Sequence, residues 1–159
     1  QVKWPNDIVI HGKKLAGVLC ELGARGQELA YIVVGMGLNV NLDVAALPEL
    51  LAPATSLSAE LGAPVDRLEL LVTLLEAIDR RYARLIAGWS PRDEWRDRLA
   101  TLGQAVTIRG EGEPITGIAE DVDADGSLCV RTPSGELRTV IAGDVTLRTG
   151  HSSSDTNKP

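Results

Sequence analysis

The chain has 159 residues, 44% of them hydrophobic but only 3% aromatic and none of them Phe, so its core has to be built from Leu, Val, Ile and Ala. A formal charge of −6 argues against broad nucleic-acid binding, which needs clustered Lys and Arg to displace counterions from phosphates. No apolar run approaches the roughly 20 residues of a membrane-spanning helix and no signal peptide is visible; the two cysteines, Cys20 and Cys129, fit neither a disulfide scaffold nor a metal site and read as buried free thiols of a cytoplasmic protein.

Val2 to Ile10 reads as a strand broken early by Pro5, with a turn at His11-Gly12-Lys13. Leu15 to Leu22 is a second strand, Gly23 to Gln27 a turn, and Leu29 to Val34 a third strand that Gly35 to Asn41 extends or interrupts. Short turns between consecutive strands predict an antiparallel meander. The third strand is apolar on both faces (Ala30, Ile32, Val33, Val34), the pattern of a covered sheet. Leu42 to Ala54 carries two prolines and no period, and reads as a loop.

Thr55 or Ser56 can cap a short helix that stops near Gly62. Asp66 and Glu69 have capping-box spacing at the start of a long helix, and Leu68, Leu71, Val72, Leu75, Ile78, Tyr82, Leu85 and Ile86 form one apolar stripe that Gly88 ends. Arg80, Arg81 and Arg84 have acidic neighbours and read as a solvated face. Ser90-Pro91 predicts another helix, with Trp95, Leu99 and Leu102 inward and Gly103 past its end. Short β-like runs follow at Ala105–Arg109, Ile115–Val122, Leu128–Thr132, Leu137–Ile141 and Val145–Leu147, divided by turns such as Asp125-Gly126 and Pro133-Ser134-Gly135. They predict a small barrel. The polar tail from Gly150 reads as disordered. The expected fold class is α+β, with residues 1–102 as one domain, 103–149 as an all-β domain and 150–159 as a tail.

Three segments carry the chemistry. In Lys3-Trp4-Pro5-Asn6-Asp7, a lysine stands on a strand just before a proline that cannot donate to a neighbour. Such an ammonium can neutralise a carboxylate or phosphate, or simply lie in solvent with its stem over Trp4. In Gly35-Met36-Gly37-Leu38-Asn39-Val40-Asn41, glycines at the end of an apolar strand admit a ligand close to the backbone, or else mark a bulge. Asn39 can end the strand in an Asx turn. In Lys14-Leu15-Ala16-Gly17-Val18-Leu19-Cys20-Glu21, Leu19 reads as ordinary core, and Lys14 equally as a phosphate contact or a solvated side chain. Asp7 and Glu21 read as structural, Asp7 by accepting from backbone N–H groups of a turn. His11 and His151 have no partner at a spacing that suggests catalysis or zinc, and no metal ligand set is expected.

These three segments, in this order and followed by a small β domain, resemble the biotin–protein ligases. The resemblance implies the second half of a class II synthetase-like catalytic domain followed by an SH3-like barrel. The implied activity is ATP- and Mg²⁺-dependent conversion of biotin to biotinyl-5′-AMP, then transfer to a lysine on a biotin carboxyl carrier domain of acetyl-CoA carboxylase. By the same resemblance Lys3 is the catalytic cation, contacting biotin and the adenylate. Gly17, Leu19, Gly35 and Gly37 line the biotin pocket and Asn39 contacts adenine. The loop 42–54 closes over the adenylate, with Ala54 where some members stack an aromatic on the base.

The family's Gly/Arg-rich phosphate loop lies upstream of the first motif and is not among these residues, so the chain reads as part of a longer protein, with little or no activity alone. Whether a DNA-binding helix-turn-helix exists depends on residues further upstream. A homodimer through a sheet edge is open. The alternatives are a lipoate–protein ligase-like enzyme and a non-catalytic interaction module or biotin-responsive repressor fragment.

Overall fold

The computed structural model describes residues 1–46, 53–110 and 112–147. The middle of the expected 42–54 loop and the tail from Gly150 lie outside the described residues. The chain divides into two compact units between Leu99 and Ala100, and each holds one antiparallel sheet, an α+β arrangement.

In the first unit four strands are ordered β1-β2-β3-β4: β1 (Val2–Lys3), β2 (Asp7–Ile10), β3 (Lys13–Arg25) and β4 (Glu28–Leu38). The expected single strand from Val2 to Ile10 is instead two, antiparallel to each other, because the chain reverses within Trp4-Pro5-Asn6 around a cis Trp4–Pro5 bond. Two-residue turns then join the longer strands. His11 and Gly12 both take positive φ between Ile10 and Lys13, and Gly26 takes it between Arg25 and Glu28, the backbone such tight hairpins need. The β3–β4 hairpin runs past the expected turn at Gly23 because Gly23 stays in the ladder opposite Tyr31.

Ser56 caps α1 (Leu57–Leu61) through the Ala59 N–H, and Gly62 ends it at φ 72°. Asp66 caps α2 (Arg67–Ile86), its Oδ1 accepting from the N–H groups of Leu68 and Glu69 at 2.8 and 3.1 Å. Asp66→Ala is therefore expected to lower the stability of the first unit by about 1 kcal/mol, read as a shift in the urea midpoint. The next helix, α3 (Arg92–Arg96), is shorter than the predicted run to Leu102. The chain beyond it turns off into a parallel bridge that pairs Leu99 with Val2. The arginine face is solvated and paired: Arg81 makes two hydrogen bonds to Glu94, and Arg84 stacks 3.9 Å above the Trp89 ring.

The buried core of this unit is Trp4, Val9, Leu15, Ala16 and Leu99. Much of the remaining apolar surface is open. On one face of the sheet Val34, Met36 and Leu38 line a cavity of about 660 Å³ with Leu71, Leu75 and Ile78 of α2. The α2 stripe and β4 both stay exposed, so the covering expected from β4's two apolar faces is not supplied by the described residues. Cys20 is exposed rather than buried, because it lies on β3 opposite Val34, beyond the small core.

The second unit follows its sequence pattern closely. Strands β5 (Ala105–Arg109), β6 (Ile115–Val122), β7 (Leu128–Arg131), β8 (Leu137–Val140) and β9 (Asp144–Leu147) are ordered β8-β7-β6-β5-β9. Val106, Ile108, Ala119, Val122, Leu128, Val130, Val140 and Val145 form its core, alternating along β5 and β7 and spaced by three on β6 across a register shift between Ala119 and Asp121. The expected barrel is an open sheet, since β8 and β9 stand at opposite edges.

Candidate functional site

The register places the first motif's lysine and two of the glycines in one row. Lys3 pairs with Asp7, Asp7 with Gly17, and Gly17 with Gly37, one residue from each of the four strands. Directly paired antiparallel residues present their side chains to the same face, so all four belong to one side of the sheet. With strands about 4.8 Å apart, the row spans roughly 14 Å. Two residues further along, Leu19 pairs with Gly35 and adds both to that face. The helix-side cavity lies on the opposite face, among residues of the other parity.

Trp4, Asn6 and Asp7 of the first motif each have a structural task. Trp4 is the largest fully buried side chain and anchors the turn in the core. Asn6 is pinned to Val18 of β3 twice: its side chain donates to the Val18 carbonyl at 2.7 Å, and its carbonyl accepts the Val18 N–H at 3.0 Å. Asp7, expected to brace a turn through backbone N–H groups, instead pairs with Lys14, Nζ to Oδ1 at 2.6 Å. Lys3, half-buried, makes no ion pair among the described residues.

The glycines differ in what they do. A Cβ on Gly17 would lie 3.3 Å from both the Asp7 carboxylate and the Lys14 ammonium, so glycine there makes room for the ion pair. A Cβ on Gly35 would meet only the Leu19 carbonyl at 3.7 Å, and one on Gly37 only the Gly17 carbonyl at 4.0 Å. Neither has positive φ. The fold does not require glycine at those two positions, although glycine in a strand costs about 0.5–1 kcal/mol relative to alanine. What their missing side chains provide is bare backbone on the side of the sheet that carries Lys3. Leu19, 63% exposed, is the apolar side chain that rises beside them.

Asn39 follows β4. Its N–H donates to the Leu15 carbonyl and its side-chain Nδ2 to the Thr55 carbonyl, both at 3.0 Å. This leaves one further amide hydrogen and the amide oxygen as recognition groups. Asn41 has a structural task, its side chain holding both the N–H and the carbonyl of Val65. Ala54 forms a parallel bridge to Lys14. His11, in its exposed turn, lies 3.2 Å from Glu60. Among the described residues, no group of three or more His, Cys, Asp or Glu is placed to hold a metal ion. No helix among them is long and apolar enough to cross a membrane.

Two features of this region escape a reading of the sequence. The Asp7–Lys14 pair is hidden by a register shift between Ile8 and Val9, which leaves Leu15 unmatched and brings Lys14 round to Asp7. The Thr55–Glu60 hydrogen bond joins residues five apart on either side of a helix start. Only the Ser56 cap hints at the geometry there.

Residues 1–39 match the biotin/lipoate A/B protein ligase family, and residues 101–148 match the biotin protein ligase C-terminal domain. Among curated proteins, the chain is 36% identical over 138 residues to a biotin–[acetyl-CoA-carboxylase] ligase of Paracoccus denitrificans, covering 84% of this chain and 58% of that one. It is 34% identical over 151 residues to the ligase of the same name from Mycobacterium tuberculosis, covering 91% and 52%. It is 32% identical over 149 residues to the bifunctional ligase/repressor BirA of Bacillus subtilis, covering 92% and 46%. Among solved structures, the biotin protein ligase of Aquifex aeolicus superposes with a TM-score of 0.75 without ligand and 0.74 in complex with biotin and ATP. The identities are 30% and 31%, over 94% of this chain and 65% and 62% of those chains. The chain thus spans about half the length of the curated relatives it matches.

Proposed function

Because the chain belongs to the biotin protein ligase family, we propose that the protein carrying it activates biotin with ATP and transfers it to a lysine of a biotin carboxyl carrier domain. The observation that carries this reading is the row from Lys3 through Asp7 and Gly17 to Gly37, with Leu19 and Gly35 beside it. It supplies a cation at one end of a row and bare backbone at the other, roughly 14 Å away across four strands, which suits an anionic tail joined to a compact fused ring.

In the first step a biotin carboxylate oxygen attacks the α-phosphorus of ATP and pyrophosphate leaves. Two anions must meet, and the Lys3 ammonium offsets their repulsion and stabilises the charge that builds in the transition state. Lys14, paired with Asp7 over Gly17, brings a second ammonium to the same face. Asn39 reads adenine with the donor and acceptor left to its amide. In the second step the ε-amine of the carrier lysine attacks the acyl carbon, AMP departs, and the amine's proton is released. The nucleophile belongs to the carrier, so this chain has only to position and to balance charge. Mg²⁺ enters with the ATP phosphates, for which no cage of carboxylates is required.

We read residues 1–102 as the catalytic part, 103–149 as the SH3-like part, and the protein as cytoplasmic. β4 is an outer strand of its sheet, which favours edge-to-edge pairing of two copies; sedimentation across a concentration series tests that. The main test uses the protein at its full natural length, incubated with ATP and biotin or lipoate. Mass spectrometry should detect biotinyl-AMP and, with a carrier domain present, one biotin on its lysine. Lipoyl-AMP in place of biotinyl-AMP would assign the alternative substrate. Neither product would reduce the protein to a binding module.

A further inference from the structure

The segment Pro53–Glu60 touches the candidate site at two points. Beside Lys14, the Lys14 N–H donates to the Pro53 carbonyl and the Thr55 N–H donates to the Lys14 carbonyl, both at 2.9 Å. Beside Asn39, the Thr55 carbonyl accepts the side-chain amide at 3.0 Å, and the Asn39 carbonyl accepts the Leu57 N–H at 2.9 Å. Thr55 therefore holds the backbone of one site residue and the side chain of another. It is 3% exposed, and its hydroxyl donates to Glu60 Oε1 at 2.6 Å. The other Glu60 oxygen faces His11 Nδ1 at 3.2 Å. The Thr55 hydroxyl first, and then His11 and Lys13, hold the Glu60 carboxyl below the ordinary carboxylate range.

Helix capping does not account for this carboxylate. Ser56 already caps α1 through the Ala59 N–H, and Glu60 reaches back past the cap to a side chain that precedes it. Its effect is to fix the rotamer of a buried threonine whose carbonyl is engaged on the site.

We propose that Glu60 is a positioning residue for the nucleotide: through Thr55 it holds the Asn39 amide and the start of β3 in the geometry that receives ATP. The proposal rests on the reading of Asn39 as the adenine contact. Biotin approaches Gly35 and Gly37, which this chain of hydrogen bonds does not touch.

The test measures steady-state adenylation and, separately, ATP binding by calorimetry in the full-length protein. Glu60→Ala and Thr55→Val are each expected to raise KM for ATP about tenfold and to weaken ATP binding equally. KM for biotin should stay within twofold. Thr55→Ser restores the hydroxyl and should restore KM for ATP, and the double variant should be no worse than either single one, because both cut the same connection. An unchanged KM for ATP in Glu60→Ala overturns the proposal, as does an equal rise in both KM values, the mark of general loosening. If Glu60→Ala fails to fold, the Thr55→Val and Thr55→Ser pair decides alone. A wild-type protein that forms no biotinyl-AMP sinks the family reading and this inference together, whereas normal wild-type turnover with insensitive variants sinks the inference only.

Discussion

Lys3→Ala is expected to slow biotinyl-AMP formation by about 10²–10³-fold with almost no change in the urea midpoint of folding. The two halves of that expectation come from the division of labour within the first motif. Trp4 fills the core and Asn6 clamps the turn to Val18, so the fold leans on them and not on the half-buried lysine that ends β1. The ammonium has no ion-pair partner among the described residues whose loss would have to be made good. On the proposed function, its value lies in the charge that develops between carboxylate and phosphate. Lys3→Arg should recover only part of the rate, because a planar fork does not occupy the position of a compact ammonium. A loss below threefold, or a rate loss that tracks a fall in stability, would remove Lys3 from the chemistry.

Gly37→Val is expected to separate folding from binding. A Cβ at this position meets nothing closer than a carbonyl at 4.0 Å, and valine suits a strand better than glycine does. Thermal stability should therefore hold or rise slightly. Biotin affinity by calorimetry should fall at least about a hundredfold on the proposed function, which gives the ring bare backbone where two methyl groups would then stand. Gly17→Val provides the contrast. There the side chain runs into the Asp7–Lys14 pair, so stability and binding should fall together. Undiminished biotin affinity in Gly37→Val would show that the strip is not the floor of the pocket.

How much of this was legible in the sequence depended on how local the deciding interactions are. Strands β5 to β9 could be read almost residue for residue, because each is a short run carrying Val, Ile or Leu between turn-forming glycines. The cap at Asp66 was equally plain, and that of α1 was narrowed to Thr55 or Ser56, of which the structure uses Ser56. The reversal inside Trp4-Pro5-Asn6 was not, since it is made without glycine and is held by long-range bonds to Val18. β3 and β4 outran their expected ends because Gly23, a turn signal locally, is retained in the ladder under the Tyr31 ring. Of the candidate site, the family signature identified the row of Lys3, Gly17 and Gly37 and the neighbouring Leu19 and Gly35 as residues of interest. It could not show that Gly17 serves an ion pair while Gly35 and Gly37 lie open. That distinction, like the Thr55–Glu60 connection, depends on a register shift and a returning loop.

The uncovered leucines and valines along α2 and β4 also govern how this polypeptide behaves in a test tube. Kept by itself in dilute buffer it carries two oily strips, and salting-out anions such as sulfate would drive these strips together well before the helices melt. Turbidity should then rise with protein concentration while circular dichroism stays constant, and a mild non-ionic detergent should reverse it.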